Sequence, residues 1–223
     1  MNVLQKIDHA ITKQIQQLEL GPLEILIVPG CTLFGWNGMT YVVLPLVALT
    51  TASYEDGGWI PQSAGALWYF MVSAAVGQTV CRFAKNTFLR QRPTPPNPLP
   101  RRYFALQKKI EMSHGDGPSF PSGDSLGAGV TAGVLAVYHK NPVFLLIALW
   151  ASIGRQYWFF HYFLDTVVGG SIGIFSAYFV DKKFDGFWNI SRTHALIILP
   201  IFILFQKLAK VWGRFLRERQ KIQ

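Results

Sequence analysis

The chain has 223 residues, half of them hydrophobic and only 15% charged, where a soluble domain is usually about a quarter charged; the deficit points to a lipid bilayer. Its net charge is +9, yet the basic residues lie between or after apolar runs, so anionic lipid headgroups are the expected partner and nucleic acid is not. Two isolated cysteines, Cys31 and Cys81, offer neither a disulfide framework nor metal-ligand spacing. They read as small buried hydrophobes, and no metal or cofactor is expected.

Residues 1–19 lack the basic segment and apolar core of a secretory signal. Leu4, Ile7, Ile11, Ile15 and Leu18 recur at helical spacing with Gln, Lys and Asp between them, which predicts an amphipathic helix lying at the membrane interface. Leu20 to Ser53 is long enough for two short crossings, with a turn at Gly35-Trp36-Asn37-Gly38, or for a half-buried hairpin. A polar loop over 54–60 leads to an apolar helix over 61–84 that ends at Cys81-Arg82-Phe83-Ala84-Lys85. The stretch 86–120 does not span. Its segment Thr94-Pro95-Pro96-Asn97-Pro98-Leu99-Pro100 excludes a helix, because proline removes donors and clashes with the preceding turn. Arg101 to Met112 reads as a short interfacial helix. A connection this long is more often functional than idle.

Four further helices are expected at about 122–139, 142–158, 162–181 and 190–210, before a basic tail. Their pairs Gly123/Gly127, Gly129/Gly133 and Gly169/Gly173 stand four apart, the spacing that lets helix backbones approach closely in lipid. The expected fold class is all-α, a polytopic transmembrane bundle of six to seven spanning helices with an interfacial N-terminal helix.

Polar groups at the ends of apolar helices are costly there and are functional candidates. In this topology three clusters share one face. The helix over 61–84 exits at Lys85, with Arg92-Pro93 following. The next helix starts at Pro121-Ser122-Gly123-Asp124, and the returning helix delivers Arg155, His161 and Asp165. Lys85, Arg92 and Arg155 are cations that repel one another unless an anion lies between them, and arginine forks match phosphate oxygens. Ser122-Gly123 offers free backbone N–H groups and the positive end of a helix dipole. His161 and Asp165 stand four apart. An Asp holding one imidazole nitrogen leaves the other free as nucleophile or base.

Lys85-x6-Arg92-Pro93, Pro121-Ser122-Gly123-Asp124 and Arg155-x5-His161-x3-Asp165 together resemble the three-part signature of the type 2 phosphatidic acid phosphatases. That superfamily also includes polyprenyl diphosphate phosphatases, glucose-6-phosphatase and the vanadium haloperoxidases. The resemblance covers about 85–181. It implies a metal-independent phosphatase in which His161 attacks phosphorus to form a phosphohistidine and Asp165 orients it. Lys85, Arg92, Ser122, Gly123 and Arg155 would hold the phosphate oxygens. The implied organisation is an interfacial helix over 1–19, one transmembrane phosphatase-like domain over 20–210 with its signature at 85–165, and a basic tail over 211–223.

Two positions depart from the family pattern. Gly154 replaces the usual Ser before the Arg. Asp124 replaces the usual His that protonates the leaving oxygen. An Asp side chain, with an ordinary pKa of about 3.9, is a poor proton donor at neutral pH, and losing a general acid typically costs about 10²–10⁴-fold. The loss matters less for a phosphate leaving group, whose second pKa is about 6, so lipid diphosphates of polyprenyl type are the expected substrates. His114 is a rival acid. A catalytically inactive lipid-binding or scaffold subunit is the second class of function. A transporter is the third, disfavoured because its site would lie near the midplane. The flanking Lys and Arg residues lean toward a cytoplasmic site, and the Asn189-Ile190-Ser191 sequon would fall on the opposite side. The sequence leaves the oligomeric state open.

Overall fold

The structure, a computed structural model, describes residues 3–51, 59–95 and 117–183, with the backbone alone at 36 and 59–64. The expected helices over 101–112 and 190–210, His114, the sequon and the basic tail lie outside the described residues.

Every regular element among the described residues is helical. Helix α1 (Val3–Gln16) opens the chain. A 3-10 turn at Gly21–Leu26, α2 (Val28–Thr32), a single turn at Trp36–Gly38, a π-helical stretch at Met39–Val43 and α3 (Leu44–Thr50) follow. Then come the 30-residue α4 (Trp59–Phe88), α5 (Gly123–Tyr138), α6 (Leu146–Tyr157) and α7 (Phe163–Lys183).

The segment after Leu20, read from sequence as two short crossings or a half-buried hairpin, is broken into short helices. Pro22, Pro29 and Pro45 each occupy the first turn of a new helix, the place where the missing N–H costs nothing and the fixed φ suits the helix. Each proline therefore starts a helix and none continues far. Gly21–Thr32 and Met39–Thr50 are apolar but short, below the roughly 20 residues of a crossing. Among the described residues one helix, Phe163–Lys183, is long and apolar enough to span by length and composition.

Helix α5 is the centre of the bundle. Every residue from Ser125 to Ala136 is buried, as expected of a helix apolar on all faces. It packs most closely on α7, with α4 and α6 alongside. Glycines set that approach: a Cβ on Gly129 would stand 2.2 Å from the Gly170 carbonyl oxygen, and one on Gly173 would stand 2.3 Å from that of Leu126. The backbones touch where the spacing of small residues predicts contact. Gly173→Ala should therefore lower stability by about 1–3 kcal/mol through overpacking. Thermal unfolding in detergent measures this, and an unchanged midpoint would contradict the close approach.

The Tyr69 hydroxyl of α4 donates to the Ala177 carbonyl of α7 at 2.6 Å. Cys31 and Cys81 are both buried. A second apolar cluster of Ile27, Cys31, Tyr157, Trp158 and Phe160 joins α2 to the end of α6. Outward, α3, α4, α6 and α7 present bare apolar side chains, among them Leu49, Phe83, Leu149 and Phe175.

Candidate active site

Four helix ends meet on one side of the bundle: the C-termini of α4 and α6 and the N-termini of α5 and α7. Direct bonds tie them together. The Ser122 N–H donates to the Asp165 carbonyl at 2.8 Å, and the Lys85 ammonium donates to the Pro118 carbonyl at 2.9 Å. Ser122 caps α5, its Oγ accepting the Ser125 N–H at 3.3 Å. Beside it, a Cβ on Gly123 would meet nothing within 4 Å. Open space thus faces the dipole-positive end of α5, where an anion is favoured.

The chain leaves α6 through Trp158 and Phe159, and Phe159 adopts a left-handed backbone with φ of 61°. A bulky residue in that region marks a constrained turn, and this turn aims the next two residues back into the site. Phe160 joins two cations there. Its carbonyl accepts from Arg92 at 3.3 Å, and its ring lies 4.2 Å from the Arg155 guanidinium carbon. Arg155 also donates to the Cys31 carbonyl at 3.1 Å and pairs with Asp124 at 2.8 Å. Its Nε is buried with no hydrogen-bond partner among the described residues, a donor left for a ligand.

His161 is buried and precedes α7 by two residues. Its Nδ1 faces Asp165 Oδ2 at 3.6 Å and Ser119 Oγ at 3.3 Å. Ser119 in turn donates to Asp165 Oδ2. The bonds run in one direction, from imidazole Nδ1–H to hydroxyl and from hydroxyl to carboxylate, so Nε2 carries the free lone pair. Burial pushes the His161 pKa down to about 4; the hydrogen bond to Asp165 works against this, while Arg155 and Arg92 reinforce it. The ring is therefore neutral at pH 7, and its link to Asp165 runs through the Ser119 hydroxyl and is not an ion pair. Burial also pushes the Arg92 guanidinium below its ordinary value, with the charge of Arg155 adding to the effect. A bound phosphate would relieve both.

An imidazole with this pKa keeps its neutral form on acidification, because the lowered pKa disfavours the imidazolium. The acid limb of kcat/KM, corrected for the substrate's own second ionisation, should lie near pH 4 and not near the ordinary value of about 6.5. A limb centred on that ordinary value would show that the ring is solvated in the working protein.

The structure thus brings together Lys85, Arg92, Ser122, Gly123, Asp124, Arg155, His161 and Asp165, while His114 lies outside the described residues. It also explains Gly154. A Cβ there would lie 2.7 Å from the Cys31 nitrogen and 3.0 Å from the Ile27 carbonyl oxygen, so the close seat of α2 against α6 excludes a serine.

Three participants, Ser119, Arg90 and Asp8, carry no clear mark in the sequence pattern, and Thr12 serves only to seat α1 beside them. Ser119, fully buried, sits between His161 and Asp165. Arg90 donates to Asp165 Oδ1 at 2.9 Å and pairs with Asp8 of α1. Asp8 Oδ1 accepts the Leu164 N–H at 2.8 Å, and Thr12 Oγ1 accepts the Phe163 N–H at 2.9 Å. A faint signal for Asp8 exists: it stands four after Leu4 and three before Ile11, on the face the apolar periodicity marks. Asp8 and Thr12 are buried, while Leu4 and Ile7 are exposed at 65% and 51%.

Comparison with known proteins gives a consistent result. No curated protein matches the sequence at a significant level. Among solved structures, the LpxE protein of Aquifex aeolicus superposes with a TM-score of 0.57 at 19% identity, over 79% of this chain and 95% of the other. The transmembrane PAP2-type phosphatidylglycerolphosphate phosphatase of Bacillus subtilis superposes with a TM-score of 0.59 at 20% identity, over 84% of this chain and 90% of the other. At such identities the likeness shows the fold. The family is shown by sequence: residues 66–188, more than half the chain and containing all three parts of the signature, match the PAP2 superfamily, to which this chain belongs.

Proposed function

We propose that the protein is a multi-pass membrane phosphatase that removes phosphate from a lipid, acts without a metal ion, and favours lipid diphosphates of polyprenyl type over monophosphates. One observation carries the reading. A buried, neutral imidazole, held at Nδ1 by Ser119 and close to the charges of Arg92 and Arg155, lies at the helix ends that also carry Lys85 and the start of α5, with an Arg155 donor unsatisfied. The bare apolar side chains on α3, α4, α6 and α7 suit contact with lipid tails, since patches of that extent mark interaction surfaces. The solved relatives named above are a transmembrane phosphatase and a protein of the same fold, which supports this setting. The flanking positive charge favours a site on the cytoplasmic side.

In this reading Nε2 of His161 forms a bond to phosphorus while the bond from phosphorus to the leaving oxygen breaks. The leaving group departs with its electron pair. The cations and backbone N–H groups hold the three equatorial oxygens as charge develops on them. Asp165, through Ser119, holds Nδ1–H and stabilises the imidazole as it becomes cationic. Water then attacks phosphorus, the N–P bond breaks, and inorganic phosphate leaves.

Asp124 sets the substrate preference. Paired with Arg155 at 2.8 Å, it offers no proton to a departing alkoxide. A departing phosphate needs none, because its second pKa is about 6. The same pair favours a second reading, an inactive lipid-binding subunit, because the carboxylate occupies part of an anion site. Phosphate release from a polyprenyl diphosphate and from its monophosphate, by purified protein with EDTA present, separates the two. Faster release from the diphosphate is expected. Faster release from the monophosphate sinks the preference, and no release from folded protein supports the inactive subunit.

A further inference from the structure

Helix α1 does more than lie against the bundle. Its Asp8 is 1% exposed and bonds in two directions. One oxygen accepts the Leu164 N–H at the start of α7. The other takes one prong of the Arg90 guanidinium. The second prong of Arg90 goes to Oδ1 of Asp165 at 2.9 Å. Oδ2 of Asp165 is left for the Ser119 hydroxyl, the Tyr162 N–H at 2.9 Å and the His161 imidazole. Arg90 also lies 4.0 Å from the centre of the Tyr162 ring, and that ring stacks on His9 of α1 at 4.6 Å.

The division of Arg90 matters because a guanidinium facing a single carboxylate prefers the bidentate fork, with two parallel N–H···O bonds. Shared between two carboxylates, it takes only one oxygen of each. We infer that Asp8 is a positioning residue for catalysis: by holding one prong of Arg90, it keeps that arginine off Oδ2 of Asp165 and so preserves the link from Asp165 to the nucleophilic imidazole. Without the Asp8 charge, Arg90 closes on both oxygens of Asp165. Oδ2 is then withdrawn from Ser119 and His161, and the imidazole loses its orientation. The inference rests on the phosphatase reading above.

Charge and docking are separable. In Asp8→Asn the amide oxygen still accepts the Leu164 N–H, so α1 keeps its seat, but the ion pair to Arg90 is lost. In Thr12→Val the bond to the Phe163 N–H is lost while Arg90 is untouched. The full chain in detergent, with a polyprenyl diphosphate as substrate, should lose about tenfold or more in kcat in Asp8→Asn at unchanged KM, since a small misplacement of a reacting group is costly. Asp8→Glu should recover most of the loss. Thr12→Val should lower the unfolding temperature and leave kcat within about twofold. If Asp8→Asn does not fold, Asp8→Asn/Arg90→Gln is compared with Arg90→Gln: with no guanidinium to close on Asp165, kcat should agree within about twofold between the two, and a further loss of about tenfold in the double variant would overturn the inference.

Unchanged kcat in Asp8→Asn, or equal losses in Asp8→Asn and Thr12→Val, overturns the inference. A wild-type protein that releases no phosphate refutes the phosphatase reading instead. In that event the ¹⁵N spectrum of His161, assigned with His161→Gln, still reads the clamp. The wild type should show the Nδ1–H tautomer and Asp8→Asn a mixture, and identical spectra would overturn it.

Discussion

His161→Ala should abolish phosphate release from a polyprenyl diphosphate, a loss of more than about 10³-fold, with substrate binding retained. The size of the effect follows from position. The side chain is the buried end of a chain of hydrogen bonds from Asp165 through Ser119 that engages Nδ1 and leaves Nε2 outside it. Removing a nucleophile that works as a unit with its orienting group costs nearly as much as removing the whole unit. The cations would still bind phosphate, so KM or the binding constant should move little. Acid-labile, alkali-stable label retained after a short exposure to ³²P-substrate should appear in the wild type and vanish in the variant. Turnover persisting within tenfold in a folded His161→Ala protein would rule out the phosphohistidine route.

Asp124→His should act in the opposite direction. Asp124 sits in the first turn of α5 with its carboxylate against Arg155 at 2.8 Å. Gly35 leaves space beside it: a Cβ there would only reach ordinary contact with the Asp124 oxygens, at 3.9 and 4.0 Å. An imidazole in that space frees one prong of Arg155 and supplies a proton donor matched to neutral pH. General acid catalysis typically contributes about 10²–10⁴-fold. Hydrolysis of a lipid monophosphate, whose leaving alkoxide needs a proton, should therefore rise by at least about tenfold. Diphosphate hydrolysis should change by less than about threefold. The ratio of the two rates, measured on one preparation at pH 7, is the informative quantity. Equal gains on both substrates would mean that the benefit is release of Arg155 alone. No gain on the monophosphate would remove the argument from the missing acid.

Much of the site is legible in the amino-acid sequence. Lys85, Arg92, the Ser122 cap, Arg155, His161 and Asp165 fall at the ends of apolar helices. Alternating helix directions bring those ends to one face, which follows from helix length and order. The glycines of α5 and α7 are legible for a similar reason: spacing along one helix determines which face is small, and a small face admits a neighbouring backbone. These are local properties, set by residues three or four apart. The breaks at Pro22, Pro29 and Pro45 are equally local, yet the hydropathy of the Leu20 to Ser53 run hides them, because it sums apolar character and ignores where a helix must restart.

The tertiary structure alone decided the rest. Asp8 reads from sequence as one polar residue among others on an amphipathic helix. Its partners are the Leu164 N–H, 156 residues away, and Arg90, 82 residues away. No periodicity carries information over that distance. Ser119 likewise joins His161 and Asp165 across 42 and 46 residues, and Gly154 makes sense only beside the α2 backbone that it admits. A buried polar group is stable wherever its hydrogen bonds are completed, and its partners are chosen by packing. The sequence by itself therefore determined which side chains could do chemistry and on which face they gather. The fold decided which of their neighbours hold them still.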